Sequence, residues 1–192
     1  MTYEDQFKLF HVAHTMIDSD LRRVELEFGV DLGFHADTIV TAEDPDYLQF
    51  PAAIRAEASA MGQHYELFYC LENSLRELVI SRMSETFAEK WWDQVSDDVK
   101  DNAAANRKRE ADAGITPRSE RPIDYTTFGE LSKIIQSNWE VFGDMFNNRS
   151  GVTRVLSSLN LLRGPIAHCA PLAEDEVRRL RLSLHDWLRL MA

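Results

Sequence analysis

Hydrophobic residues recur along most of this chain at the intervals of an α-helix. In the first segment they alternate at spacings of three and four, and His14 completes the series Phe7, Phe10, Ile17, Leu21, Val24 and Phe28. Thr2 with Asp5 is typical of a helix start, and Gly29 of a helix end. Residues 30–52 contain acids, glycine and proline and predict a linker. The pattern predicts an N-terminal helix whose apolar face packs on another helix.

A second, longer helical segment is predicted from residue 52 to residue 92. Its apolar face includes Ile54, Ala58, Met61, Tyr65, Phe68, Leu75 and Val79. Glu72 falls on the same face, between Phe68 and Leu75. Burying an unpaired carboxylate is costly, so Glu72 requires a cationic partner. Arg76, one helical turn further along, is one candidate.

Three more helices follow the same logic. Thr127 and Glu130 have the spacing of a capping box, and the apolar residues after them are Phe128, Leu131, Ile134, Ile135, Trp139, Phe142 and Phe146. Ser150 is placed to cap the next helix, whose inward residues are Val152, Val155, Leu156, Leu159 and Leu162. Pro171 ends it. Residues 174–191 form the last predicted helix, with a core side of Val177, Leu180, Leu184, Trp187, Leu188 and Met191.

The region from Ser96 to Ala113 is polar almost throughout and ends at Gly114. This composition predicts an exposed helix or a partly mobile excursion. Its basic run, the densest in the chain, is the candidate for contact with RNA and consists of Arg107, Lys108 and Arg109. Residues 114–125 predict a loop.

No segment alternates like a strand, so the chain is predicted to be all-α, with an acidic N-terminal helix and linker at 1–50 and a helical domain at 51–192. No apolar run reaches the ~20 residues that cross a bilayer, and the N-terminus lacks a signal pattern. A cytoplasmic protein without membrane contact is predicted. Cys70 and Cys169 are too few for a disulfide framework. His11 and His14 have no third ligand nearby, so no metal site is predicted.

Charge narrows the functional classes. The formal net charge is 21 − 32 = −11, and residues 1–52 contribute 3 − 11 = −8 of it. A broad nucleic-acid binder is normally basic, because it displaces counterions from phosphates. No DNA binding is therefore predicted, and any contact with RNA must be confined to a cleft where several arginines converge.

The most specific chemistry lies in residues 159–168, where Arg163 and His168 stand five positions apart in an apolar run. Arginine stays protonated and grips phosphate oxygens in a bidentate fork, while histidine exchanges a proton near neutral pH. This pairing suits phosphodiester chemistry. On a regular helix the two side chains would lie about 140° apart. Gly164 and Pro165 predict a kink or break that lets them converge.

The surrounding residues resemble a known family. The series Leu159, Asn160, Arg163, Pro165, Ile166, Ala167 and His168, followed by the acidic-then-basic helix at 174–180, resembles the R-x4-6-H region of the HEPN superfamily. Residues 69–78, Trp91 with Trp92, and residues 122–131 are similar to the HEPN subfamily also found in a nuclear mRNA-surveillance endonuclease. The resemblance covers roughly residues 53–192 and does not extend to residues 1–50.

The resemblance implies a HEPN-like helical bundle with an N-terminal helical extension, and a metal-independent endoribonuclease that acts as a homodimer without a cofactor. His168 would be the general base or acid. Arg163 would stabilise the phosphorane formed when a ribose 2′-OH attacks the adjacent phosphate to give a 2′,3′-cyclic phosphate. Glu72 would orient Arg163 rather than serve Arg76 alone, and Asn73 and Asn160 would support the site. Such proteins act as toxins or phage-defence effectors restrained by a cognate antitoxin or sensor.

One residue departs from the family pattern. Gly164 follows the motif arginine, where HEPN nucleases typically carry a polar residue, often asparagine. The alternative is therefore a non-catalytic HEPN module that binds a protein or a nucleotide.

Overall fold

A computed structural model describes residues 46–146 and 148–191, together with Leu21, Val24, Glu27 and Phe28. The chain divides into two compact units, Met1–Arg55 and Ala56–Ala192. In the first unit the four isolated residues are helical, and a short 3₁₀ helix spans Tyr47–Gln49. The rest of the predicted N-terminal helix, with its cap at Thr2 and Asp5, lies outside the described residues.

Six α-helices follow in the described part of the chain. They are α1 (Ala52–Phe87), α2 (Asp97–Asp112), α3 (Phe128–Ser137), α4 (Trp139–Phe142), α5 (Arg149–Ala167) and α6 (Glu174–Leu190). Short 3₁₀ helices at Ala88–Gln94 and Pro122–Tyr125 connect them. The described residues form no strand, which confirms the all-α prediction. None of the described helices has the length and hydrophobicity needed to cross a membrane.

The core of the second unit lies where α5 packs against α3 and α6. The second half of α1 belongs to the same core, and its buried residues are Phe68, Leu71, Leu75, Val79 and Met83. Burying a side chain of this size contributes about 1.5–3 kcal/mol. The prediction for the first half of α1 was wrong, because Ile54 and Tyr65 are exposed.

Helix α2 is part of the bundle and not a loose excursion. Val99 and Ala103, four positions apart and therefore on one face, are both buried. The Asn106 side chain donates a hydrogen bond to the Tyr125 carbonyl oxygen at 3.1 Å. Two small apolar residues are enough to pack a helix whose other faces are polar. The polar composition of the segment as a whole gave no sign of this narrow apolar face.

Local chemistry corrects two helix boundaries and the orientation of one residue. The Thr127–Glu130 capping box is present, but the helix after it stops at Asn138, whose side chain donates to the Ile134 carbonyl. Asn148, not Ser150, caps α5, because its Oδ1 accepts the Gly151 N–H at 2.8 Å. Leu188 was predicted to face the core, yet it is exposed.

The expected break at Gly164 and Pro165 does not occur. Pro165 lies inside α5, and the helix continues to Ala167. Proline removes the single bond to the carbonyl of Leu161, and Leu161 is 78% exposed, so water can reach that position. The loss is therefore small enough for the helix to persist for another turn.

A closed turn ends α5 immediately after this proline. The Ala170 N–H donates to the Pro165 carbonyl at 2.8 Å, and the Cys169 N–H donates to the Ile166 carbonyl at 3.3 Å. This pair of bonds is a Schellman motif, with His168 at the C-cap and Cys169 in the left-handed position at φ +55°. Glycine is the usual residue there. The turn fixes the main chain on both sides of His168.

Candidate functional site

An open cleft of about 620 Å³ lies in the second unit, between α1, the loop before the 3₁₀ helix Pro122–Tyr125, and the end of α5. Four arginines line it: Arg76, Arg118, Arg121 and Arg163. Glu72 and Asp124 are the acidic lining residues. A chain with a net charge of −11 thus gathers an excess of arginine over carboxylate in one concave site.

Glu72 joins two of these arginines. Its Oε1 accepts from Arg76 Nη2 at 3.0 Å, and its Oε2 accepts from Arg163 Nε at 2.9 Å. Both partners considered for Glu72 therefore contact it at once. The carboxylate has two oxygens that point in different directions, so one residue of α1 serves a neighbour on its own helix and a residue 91 positions later.

Arg163 is anchored at only one of its three nitrogens. Within the described residues, neither Nη1 nor Nη2 has a hydrogen-bond partner, and the side chain is 34% exposed to the cleft. Arg76 contrasts with it, because Arg76 is only 9% exposed and both Nη atoms are bonded, to Asn73 and Glu72. Arg163 is thus the arginine oriented by its Nε with its terminal fork open to a ligand.

Asp124 ties the loop wall to α1. Its carboxylate accepts two hydrogen bonds from Arg121, at 2.8 and 2.9 Å, and lies 3.6 Å from Arg76 Nε. Burial raises the pKa of Asp124, but the hydrogen bonds from Arg121 and Ser119 and the charges of Arg121 and Arg76 outweigh it, so the pKa falls below its ordinary value. Asp124 is therefore charged at neutral pH and holds two cleft arginines in place.

His168 lies at the end of α5 and is exposed. The described residues that line the cleft include Ile166 and Ala167 but not His168. Because α5 continues to Ala167, the break that was expected to turn Arg163 and His168 towards each other is absent. Within the described part, the imidazole makes no hydrogen bond.

The Swt1-like HEPN family matches residues 66–192. The chain belongs to this family. HEPN domains are generally ribonuclease-like, and they often dimerise and bind RNA. Comparison with curated proteins and with solved structures gives no match.

Most of the cleft lies inside the HEPN match. Glu72, Arg76, Asp124, Arg163 and the exposed His168 all fall between residues 66 and 192. Tyr65, which lines the same cleft, lies one position before the match. The HEPN domain of this chain therefore contains the complete arginine–carboxylate network.

The two asparagines proposed as supporting residues occupy different places. Asn73 lines the cleft, where its Oδ1 accepts from Arg76 and its Nδ2 donates to the Tyr69 carbonyl. Asn160 is exposed on α5, and its amide lies 3.4–3.7 Å from the position that a Cβ on Gly129 of α3 would occupy. Asn73 is thus part of the arginine network, whereas Asn160 lies beside a neighbouring helix.

The basic run of α2 does not form one patch. Consecutive helix positions point 100° apart, and each of the three side chains has its own partner: Arg107 bonds Glu120, Lys108 bonds Asp112, and Arg109 bonds Asn106. The described cleft lining does not include them. Among the three, Arg107 is connected to the cleft through Tyr125: it lies over the Tyr125 ring, and the cleft residue Arg118 lies over the same ring.

Sequence reasoning missed Arg118 and Arg121. Both lie in the segment predicted as loop, where helical periodicity gives no information about direction. The available signal was local: Arg121 precedes Asp124 by three positions and Pro122 by one, a spacing that suits an ion pair across one short turn. Arg121 also donates to Glu77 on α1 at 2.8 Å, which fixes the loop against the bundle.

Proposed function

We propose that this HEPN protein is a metal-independent endoribonuclease whose cleft holds the phosphate next to the bond that is cut. The observation that carries the proposal is Arg163, held at Nε by Glu72 with both Nη atoms open to the cleft. A guanidinium presented in this way can donate two parallel hydrogen bonds to phosphate oxygens. From this position it would stabilise the charge that develops on a phosphorane.

In the proposed reaction, His168 removes the proton of a ribose 2′-OH. The 2′-oxygen attacks the adjacent phosphorus, the bond from phosphorus to the 5′-oxygen breaks, and the leaving oxygen takes up a proton from a second imidazole. The products are a 2′,3′-cyclic phosphate and a 5′-hydroxyl. One histidine cannot be base and acid at the same instant, so two copies of His168 in a homodimer would divide the two roles.

A dimer would also explain how His168 can act at a cleft that it does not line in its own protomer. His168 lies outside the cleft lining of its own protomer, and its exposed position at the end of α5 makes it available to another copy. A two-fold dimer that joins the ends of α5 would place the histidine of one protomer beside the cleft of the other.

The test uses purified protein and RNA in buffer with EDTA. We expect cleavage that yields 2′,3′-cyclic phosphate ends, and no cleavage of a 2′-O-methyl oligonucleotide. His168→Ala should lower the rate by roughly 10²–10⁴-fold, and Arg163→Ala by about 10²–10³-fold. The matched controls, His185→Ala and Arg154→Ala, change exposed residues outside the cleft and should leave the rate unchanged.

Two features favour a second function, a non-catalytic HEPN module that binds a protein or a nucleotide. Gly164 replaces the polar residue typical after the motif arginine, and His168 lies outside the cleft lining. RNA that stays intact with the wild-type protein in EDTA, together with binding of a nucleotide or of a partner protein, would establish the module. A nuclease of this kind would slow growth on expression unless an antitoxin or sensor restrained it, and the His168→Ala variant would not.

A further inference from the structure

Two aromatic rings stand at the cleft without contributing to the core. Tyr65 and Tyr69, one helical turn apart on α1, both line the cleft and are 63% and 60% exposed. Their ring centroids are 6.2 Å apart and the rings are tilted by 38°, so neither ring covers the face of the other. Neither hydroxyl bonds a described residue.

The neighbouring positions of α1 show that the tyrosines lie on the face turned away from the core. Phe68 and Leu71, which fall between and just after the tyrosines, are buried, so the helix turns its packing face to the bundle and its tyrosines to the cleft. Solvated aromatic faces give no hydrophobic stabilisation to the fold. Beside them stands the open fork of Arg163, and on the facing loop stand Arg118 and Arg121.

We propose that Tyr65 and Tyr69 form a stacking platform for unpaired bases, which makes single-stranded RNA the substrate class of this cleft. The proposal rests on the proposed function in one respect, that RNA occupies the cleft. Grooves that bind single strands combine cationic side chains along the backbone with aromatic rings on which bases stack. The bases of an A-form duplex are stacked on one another and cannot reach such rings.

The arrangement assigns separate tasks to the two walls. The bases stack on the π-faces of the tyrosines, which accept any base. Arg163 binds the phosphate between neighbouring nucleosides. The platform then selects for strandedness and not for sequence. Because the rings are one helical turn apart, they can take two bases of a splayed strand, and the scissile phosphate lies near the arginine.

The test measures binding in the His168→Ala background, so that RNA stays intact. The probe is a fluorescently labelled single-stranded oligonucleotide that contains 2-aminopurine, whose emission falls when it stacks. Tyr65→Leu with Tyr69→Leu should weaken binding by about 30-fold or more and abolish the quenching. The matched control, Tyr65→Phe with Tyr69→Phe, keeps the rings and should retain both signals. The duplex of the same sequence should bind more weakly, and its 2-aminopurine emission should not fall further when the protein is added.

Unchanged affinity of the leucine variant, or binding without any 2-aminopurine quenching in the parent, would overturn the platform. So would sedimentation showing that the leucine variant alone loses its dimer, since the tyrosines would then be protein contacts. The outcomes separate the two proposals. Stacking in a protein that never cuts RNA would support the platform and contradict the nuclease. Rapid cleavage and normal RNA affinity in a Tyr65→Leu/Tyr69→Leu protein that keeps His168 would support the nuclease and contradict the platform.

Discussion

At the scale of single residues, Asp124 is the carboxylate on which the cleft wall depends. It contacts Arg121 and Arg76, and its pKa lies below the ordinary value of 3.8. A carboxyl whose pKa is lower in the folded than in the unfolded state stabilises the fold above the unfolded value. That contribution is lost as the pH falls from about 3.8 through the folded pKa.

We therefore expect Asp124→Asn to lower the free energy of unfolding at pH 7 by about 2 kcal/mol, since it removes charged hydrogen bonds at a mostly buried position. Urea denaturation at pH 7, 5, 4 and 3 measures the effect. The difference between wild type and variant should be constant from pH 7 to 5 and shrink below pH 3.8.

The control for this prediction is Asp144→Asn. Asp144 also pairs with an arginine, Arg82, but its side chain is 67% exposed, and exposed pairs contribute about 0–1 kcal/mol. Equal losses in the two variants, or a difference that is as large at pH 3 as at pH 7, would show that Asp124 does not act through its charge.

The sequence predicted single residues well where a short-range rule applied. The buried position of Glu72 on α1 required a cation, and the structure gives it two. What could not be predicted is that Oε1 and Oε2 serve different arginines, because this depends on how α5 crosses α1. Arg118 and Arg121 were missed for a related reason, since a loop has no periodicity from which to infer its direction.

At the scale of the helix, Gly164 is a weak position in α5. It lies in the middle of the last two turns, and a Cβ built there meets no atom within 4 Å. Glycine inside a helix destabilises it by roughly 0.5–1 kcal/mol relative to alanine. The site beside Arg163 therefore has room for a side chain that this chain does not carry.

We expect Gly164→Ala to raise the free energy of unfolding by about 0.5–1 kcal/mol, as measured by thermal or urea denaturation. Gly164→Asn restores the polar side chain typical of HEPN nucleases and should raise the rate of RNA cleavage above that of Gly164→Ala. Equal rates for the two variants would show that the missing polar group does not limit catalysis.

Helix by helix, local rules succeeded where a few neighbouring residues decide. The capping box at Thr127 and the start of α6 at Glu174 follow from side chains within one turn. The rule for proline did not hold at Pro165, because its cost depends on whether the freed carbonyl can meet water. That depends on which side of α5 faces the bundle, which is set by tertiary packing.

At the scale of the whole molecule, the fold class followed directly from the sequence, whereas the placement of Arg163 and His168 did not. The helical periods and the absence of strand alternation are enough for an all-α bundle. The geometry of the pair required knowing that α5 continues past Pro165. We therefore expect the active site to be formed by residues of two protomers.

The shared site can be tested by mixing equal amounts of wild type and His168→Ala. If each cut needs the histidines of both protomers, the mixed dimer lacks one of them and stays inactive. Random exchange should then leave about a quarter of the rate of the same total amount of wild type, because about a quarter of the dimers keep both histidines. About half of the wild-type rate, with exchange shown by mass spectrometry, would contradict the shared site.

The turn at the end of α5 has a thermodynamic consequence for any ligand that meets His168. Two hydrogen bonds and the left-handed Cys169 hold the backbone there, so only the imidazole torsions remain free. Ordering a side chain on binding costs about 0.5–1.5 kcal/mol, while a residue of an unstructured loop also loses about 1–2 kcal/mol of backbone freedom. Most of the entropy needed to position this histidine is therefore lost when the helix folds, before RNA arrives.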